Sequence, residues 1–213
     1  LGEIFKENNL NYVDVNLGVS GYSLFQNIDN LKKQINNNVI GSKDKIIFQF
    51  LLNDIYDITQ HPPHPVKKYL NYSYTFKIAN YVRRKIIFSN SYEKLEDMVF
   101  EDYNKKANTK IIKSKFCELS KVVKENNFEL YFLYLPYMEL GVNWSSTKER
   151  ELMNNVINIA KKCGIQNIIN PTEKLKTHEY KDMIISQDHN RHFNKNANEI
   201  VAQYIFKSLI EIE

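Results

Sequence analysis

The sequence predicts an α/β fold in which a parallel sheet carries helices on both faces. Short apolar runs alternate along the chain with longer segments whose apolar residues recur at helical spacing. Two of the runs, residues 45–52 (KIIFQFLL) and 128–136 (FELYFLYLP), are almost continuously apolar, which is typical of strands that are covered on both faces. Strands that alternate with helices form parallel β-α-β units.

A short strand between two helices is expected near the N-terminus of this sequence. Residues 1–9 resemble the end of a helix, and residues 12–19 (YVDVNLGV) are predicted to form a short strand that ends in a glycine-containing turn. A helix is predicted over residues 23–35, since its apolar residues share one face: Leu24, Ile28, Leu31 and Ile35. The run at 45–52 is the next strand.

The segment at about 60–110 is longer than a simple crossover needs. Residues 61–65 (HPPHP) force an extended backbone, and a tyrosine-rich helical stretch follows them. We expect a helical insertion within one domain that spans residues 1–213. Its tyrosines could line a cleft or pack in the helix: Tyr69, Tyr72, Tyr74 and Tyr81.

The second half repeats the alternation. Helical patterns cover residues 109–126 and 146–164, the latter opened by Ser146 as N-cap with Glu149 in a capping box and closed by Gly164. A short strand is expected at 165–169 and a final helix at 196–212. The two cysteines, Cys117 and Cys163, lie in separate helical patterns, so the sequence does not predict a disulfide.

Length and composition indicate one globular domain. The 213 residues are 43% hydrophobic and 25% charged, which does not indicate disorder. The net charge is +4, but no basic cluster is interleaved with aromatic residues, so nucleic acid is not predicted as a partner. No apolar run reaches the roughly 20 residues that span a bilayer. Because the first residue is Leu1 and not Met, the lack of a visible signal peptide leaves the compartment open; the sequence does not define the oligomeric state.

Parallel α/β folds bind ligands at the carboxyl edge of the sheet. At three predicted strand ends or loops that reach this edge, the sequence has glycine or polar residues. Gly21 lies in residues 16–23 (NLGVSGYS), Asn53 follows the run at 45–52, and Asp188 and His192 precede the last helix. A backbone N–H at the glycine and the asparagine amide can stabilise an oxyanion, and a histidine held by a carboxylate can act as a general base. The structural alternatives are a tight turn, an Asx turn and an incidental polar loop.

Taken in this order, the three segments resemble the later blocks of the SGNH (GDSL-type) hydrolases. These are serine esterases and acyl-transfer enzymes on a flavodoxin-like three-layer α/β/α fold. The resemblance covers nearly the whole chain and implies Gly21 and Asn53 as oxyanion donors, His192 as base and Asp188 as its orienting acid. It implies an acyl-enzyme mechanism without metal or organic cofactor, and a small-molecule or carbohydrate ester as substrate. Hydrolysis and O-acyl transfer both fit, and an exported or periplasmic location is favoured by the resemblance.

The chain departs from the family pattern in three places. Three residues separate Asp188 from His192 where the family usually has two, so that His189 stands at the expected acid. Leu52 replaces the glycine that usually precedes the asparagine. No Gly-Asp-Ser occurs in the sequence, so the nucleophilic serine and the central first strand are expected upstream of Leu1.

The sequence contains other serines, and it also allows other classes of function. Ser20 and Ser23 lie in the glycine segment, whereas Ser145 and Ser146 are typical of helix capping, and none is assigned as the nucleophile. A pseudoenzyme of the same fold that binds carbohydrate or a partner is the main alternative. A metal site is not favoured, because the histidines lack accompanying ligands at suitable spacing: His61, His64, His189 and His192.

Overall fold

The computed structural model describes residues 1–10, 12–18, 24–41, 44–51, 101, 103–136, 147–185 and 192–210. The strands in these ranges are β1 (Lys45–Phe50), β2 (Glu129–Tyr134) and β3 (Asn167–Ile169). The helices are α1 (Gly2–Glu7), α2 (Leu24–Asn36), α3 (Lys106–Glu125), α4 (Thr147–Lys162), α5 (Thr172–Leu175) and α6 (Lys195–Ile210), with a 3-10 turn at Tyr180–Asp182.

The three strands form one parallel sheet in the order β1-β2-β3. Phe50 lies opposite Tyr134, and Leu133 lies opposite Ile169. The predicted strands at 45–52, 128–136 and 165–169 are therefore confirmed, and the protein is of the mixed α/β class. β2 is the most buried strand, as its central place in this sheet requires.

The sheet separates two apolar clusters. Phe132 and Tyr134 of β2 belong to the cluster formed with α2, α3 and α4. Their neighbours Tyr131 and Leu133 point the other way, into a cluster with α1 and α6. Since successive side chains of a strand alternate between faces, the helices lie on both faces of the sheet, as expected.

Helical spacing of apolar residues explains how the helices pack. In α3, Ile112, Phe116, Leu119 and Val123 recur every three or four residues, and all are buried. Phe116 packs on the sheet with ring centroids 5.4 Å from Phe50 and 5.1 Å from Phe132. Edge-to-face aromatic contacts of this kind add to the apolar burial.

The predicted C-terminal end of α4 is confirmed. α4 stops at Lys162, and Gly164 has a φ of +87°, a left-handed conformation that glycine adopts without penalty. The predicted N-cap residue, Ser146, lies outside the described residues. So does nearly all of the predicted insertion at about 60–110, whose last residues belong to α3.

The predicted strand at 12–19 is wrong for its described part. Residues 12–18 form neither strand nor helix, and Val13 and Val15 are 85% and 65% exposed. A ring contact of Tyr12 with Phe5 (5.3 Å) and a hydrogen bond from Asn30 Nδ2 to Leu17 O (2.9 Å) attach the segment to α1 and α2. β-branched composition gives an extended segment, but a strand also needs a partner, and no described residue pairs with this one.

The structure contains a disulfide that the sequence did not predict. Cys117 of α3 and Cys163, which follows α4, form a disulfide with their Cα atoms 4.6 Å apart. The bond closes a loop between residues 46 positions apart that contains β2 and α4. The sequence predicts that each cysteine lies in a helical segment, but it does not define how the two helices are aligned. The pairing can therefore be seen only in the folded chain.

Candidate active site

The orientation of α6 places His192 at the carboxyl edge of the sheet. Lys45 begins β1, and its Nζ donates to the carbonyl of Leu209 in the last turn of α6 (3.2 Å). The end of α6 therefore lies at the amino end of β1. α6 also contacts α5, which follows the carboxyl end of β3. A helix of 16 residues is about 24 Å long, enough to reach from the amino end of β1 to that side, so we infer that the start of α6, next to His192, lies toward the carboxyl edge.

Backbone hydrogen bonds fix the loop that carries His192. The N–H of Ile185 donates to the carbonyl of His192, and the N–H of Asn194 donates to the carbonyl of Met183, both at 3.0 Å. These bonds flank an antiparallel bridge between Ile184 and Phe193. The side chain of His192 is exposed, so its backbone is held while its imidazole faces the surface.

Asn194 joins this loop to α6. Its Oδ1 accepts a hydrogen bond from the N–H of Ala197 (3.0 Å), which is the N-cap interaction of a helix that begins at Lys195. Its Nδ2 donates to the carbonyl of Asp182 (2.7 Å). The histidine, hydrophobic residue and asparagine at 192–194 thus have distinct structural roles: an exposed imidazole, a half-buried bridge residue and a cap.

The other predicted site residues lie outside the described residues: Gly21, Asn53 and Asp188. The described chain reaches Leu51, directly after β1. There the N–H of Leu135 donates to the carbonyl of Phe50 (3.2 Å), so β1 and β2 end at the same level.

An open groove of about 950 Å³ runs between α1 and the first half of α6. Ile184, Ile185 and Phe193 line its apolar part, and Ile185 is 60% exposed. Because the N–H of Ile185 is bonded to His192, the groove adjoins the candidate base. Charged and amide side chains surround the apolar part: Glu3, Glu7, Asn194, Lys195, Asn198, Glu199 and Gln203.

Two buried tyrosine hydroxyls at the same edge are a feature that sequence reasoning missed. Tyr134 ends β2 and is fully buried, and Tyr103, just before α3, is 2% exposed. Neither hydroxyl has a hydrogen-bond partner in the described part of the chain. Burial raises the pKa of Tyr103 to about 12. Burial and then the negative charge of Glu149 and the nearby Tyr103 raise the pKa of Tyr134 well above its ordinary value.

Removing the Tyr134 hydroxyl is expected to stabilise the protein. A buried, unsatisfied polar group costs on the order of 1–3 kcal/mol, so Tyr134→Phe should raise Tm by a few degrees in a thermal melt. Tyr131→Phe is the matched control on the same strand, because the Tyr131 hydroxyl donates to Glu129 Oε1 (2.6 Å) and its loss should lower Tm. Equal losses in both variants would show that Tyr134 has a bonding partner.

The described ranges contain no group of three or more His, Cys, Asp or Glu side chains that could hold a metal ion. His61, His64 and His189 are not among the residues described. No helix of the described chain has the length and apolar character to cross a membrane.

Comparison with known proteins gives no relative for this chain. No family model matches, and neither a curated protein nor a solved structure is similar enough to count as a match. The class that the structure defines is a mixed α/β protein, in which the three strands of the described ranges form a parallel sheet.

Proposed function

We propose that this protein is an SGNH-type serine esterase or acyl-transfer enzyme with a flavodoxin-like fold, acting on acyl esters of carbohydrates or small molecules. The observation that carries the proposal is the position of His192. Its imidazole is exposed at the carboxyl edge of a parallel sheet, on a hydrogen-bonded loop that enters the last helix. The resemblance of the 188–194 segment to the closing block of that family supplies the chemistry.

In the proposed reaction His192 removes the proton from a serine hydroxyl. The serine oxygen attacks the acyl carbonyl, and the Gly21 N–H and the Asn53 amide donate hydrogen bonds to the resulting oxyanion. Asp188 orients the imidazole and stabilises its protonated form. The leaving alcohol takes the proton from His192, and water or a sugar hydroxyl then attacks the acyl-enzyme by the reverse sequence of proton transfers.

The nucleophilic serine is proposed to lie before Leu1, on a strand that pairs with β1. Among the described residues β1 pairs with β2 alone, and a further strand on its other edge would pair with backbone groups that no described strand pairs there. A parallel strand in that place would also end at the carboxyl edge. A serine at its end would then share that edge with His192.

A fluorophosphonate probe tests the proposal on the full-length protein. We expect one covalent adduct by intact mass, on a serine in a Gly-Asp-Ser sequence before Leu1, together with hydrolysis of p-nitrophenyl acetate. A protein that neither reacts with the probe nor hydrolyses acyl esters would refute it, and the binding protein of the same fold would be the better description.

Asn53→Ala tests the oxyanion donor separately. The variant should react with the probe more slowly and lose on the order of a hundredfold or more in kcat. Asn154→Ala, at an exposed position of α4, is the control that should keep full activity. Unchanged turnover in Asn53→Ala would remove Asn53 from the site.

A further inference from the structure

A row of lysines follows one face of α3. The row consists of Lys110, Lys113, Lys121 and Lys124, which are spaced at three, eight and three residues. Cys117 lies on the same face, four residues from both Lys113 and Lys121. All four lysines are exposed. At a rise of about 1.5 Å per residue the row is roughly 21 Å long.

The disulfide brings the end of α4 to this row. Cys163 Sγ lies 3.3 Å from the carbonyl of Lys113, and Lys124 Nζ lies next to Gly164. Lys161 and Lys162 immediately precede Cys163 and are exposed. We call these six residues the lysine stripe: Lys110, Lys113, Lys121, Lys124, Lys161 and Lys162.

The stripe carries little compensating charge among the described residues. Lys121 pairs with Glu125 at 3.7 Å, and both side chains are mostly exposed. The carboxylate of Glu118 is on another face of α3, where it accepts hydrogen bonds from Lys115 and Lys32. The other five lysines of the stripe have no ion pair with a described residue, so they present a concentrated positive potential to solvent.

We propose that the lysine stripe binds a linear anionic polysaccharide. A straight row of cations fits the repeated negative charges of an extended polymer, and the disulfide at its centre is typical of proteins from oxidising compartments. Among the large apolar side chains that are exposed in the described ranges, Tyr12 is the only aromatic one, and it contacts Phe5 of the cluster on the opposite side of the sheet, away from the stripe, where it offers no surface on which a nucleobase bound there could stack.

This proposal does not depend on the hydrolase. The stripe lies on α3 and α4, whereas His192 and α6 lie on the opposite face of the sheet. The polymer would be held about one protein thickness away from the candidate base. Loss of polysaccharide binding and loss of esterase activity are therefore separate results.

Binding to heparin, used as the probe, tests the stripe in the full-length protein. The fourfold variant is Lys110→Gln, Lys113→Gln, Lys124→Gln and Lys161→Gln. We expect at least a tenfold rise in Kd at fixed salt. Each lysine that is removed means that fewer counterions are released when heparin binds. The magnitude of the slope of log K against log salt should therefore decrease by about three.

A matched variant removes four exposed lysines elsewhere. It carries Lys6→Gln, Lys33→Gln, Lys174→Gln and Lys207→Gln, with the same change in net charge. It should bind heparin as the unmodified protein does, and a Lys→Arg version of the stripe should also retain binding. Equal losses in the Gln variants of the stripe and of the control set would overturn the proposal.

Two competitors identify the kind of polyanion. Anionic phospholipid vesicles and duplex DNA should displace heparin only at much higher charge concentration. Preferential binding to vesicles or to DNA would replace the polysaccharide with that partner and overturn the proposal as stated.

Discussion

His192→Ala is expected to lower the proposed esterase activity by on the order of a thousandfold or more while leaving the fold intact. Removal of a general base that activates a serine has an effect of this size. The side chain of His192 is exposed, and backbone hydrogen bonds together with the side chain of Asn194 help to hold its loop. The variant should therefore melt within about 1 °C of the unmodified protein, because surface substitutions change stability little.

His178→Ala provides the matched control for that result. His178 is also exposed and follows α5, so a general effect of histidine loss would appear in both variants. The measurements are kcat/KM on p-nitrophenyl acetate and a thermal melt. Full activity in His192→Ala would remove this residue from catalysis, whatever the fate of the serine.

The double variant Cys117→Ser, Cys163→Ser should lose about 4 kcal/mol of stability by the chain-entropy treatment of a 46-residue loop. In a protein of this size such a loss lowers Tm by roughly 8–16 °C. The cross-link restricts the unfolded chain between α3 and the end of α4, so its removal acts mainly by increasing unfolded-state entropy.

Reduction of the unmodified protein is the second test of the disulfide. Dithiothreitol should lower its Tm toward that of the double variant and should leave the double variant unchanged. Titration of thiols under denaturing conditions should find none before reduction and two after it. Two free thiols in the untreated protein would contradict the pairing.

The elements that could be predicted from sequence are those with local signals. The apolar run of β2 and the helical spacing of α3 each specify an element without reference to the rest of the chain. Gly164 marks the end of α4 because its left-handed conformation is a property of a single residue. The mixed α/β class follows from the order of such elements.

The features that the sequence did not reveal depend on distant neighbours. Residues 12–18 have strand composition but pair with no described strand, and the disulfide depends on how α3 and α4 are aligned. Tyr134 belongs to an apolar run, and only its burial beside Tyr103 shows that its hydroxyl has no hydrogen-bond partner among the described residues. Each of these facts is set by packing between elements far apart in the chain.

The candidate site divides in the same way. The loop that carries His192 could be predicted because a loop before an amphipathic helix is a local pattern, and backbone hydrogen bonds hold that loop in the structure. The role of His192 as a base stays a prediction. Gly21, Asn53 and Asp188 lie outside the described residues and stay predictions. Their convergence on the histidine depends on the paths of several loops, which spacing along the chain does not define.

Asn194 makes the geometry of the candidate base inseparable from the first turn of α6. The side-chain amide of Asn194 caps α6 and also donates a hydrogen bond to the carbonyl of Asp182. The backbone N–H of Asn194, two residues after His192, donates to the carbonyl of Met183. Loss of the Asn194 side chain would therefore weaken both the first turn of α6 and the loop that carries His192. Because the residue has both roles, we expect substitutions at position 194 to be tolerated less well than at other partly exposed positions.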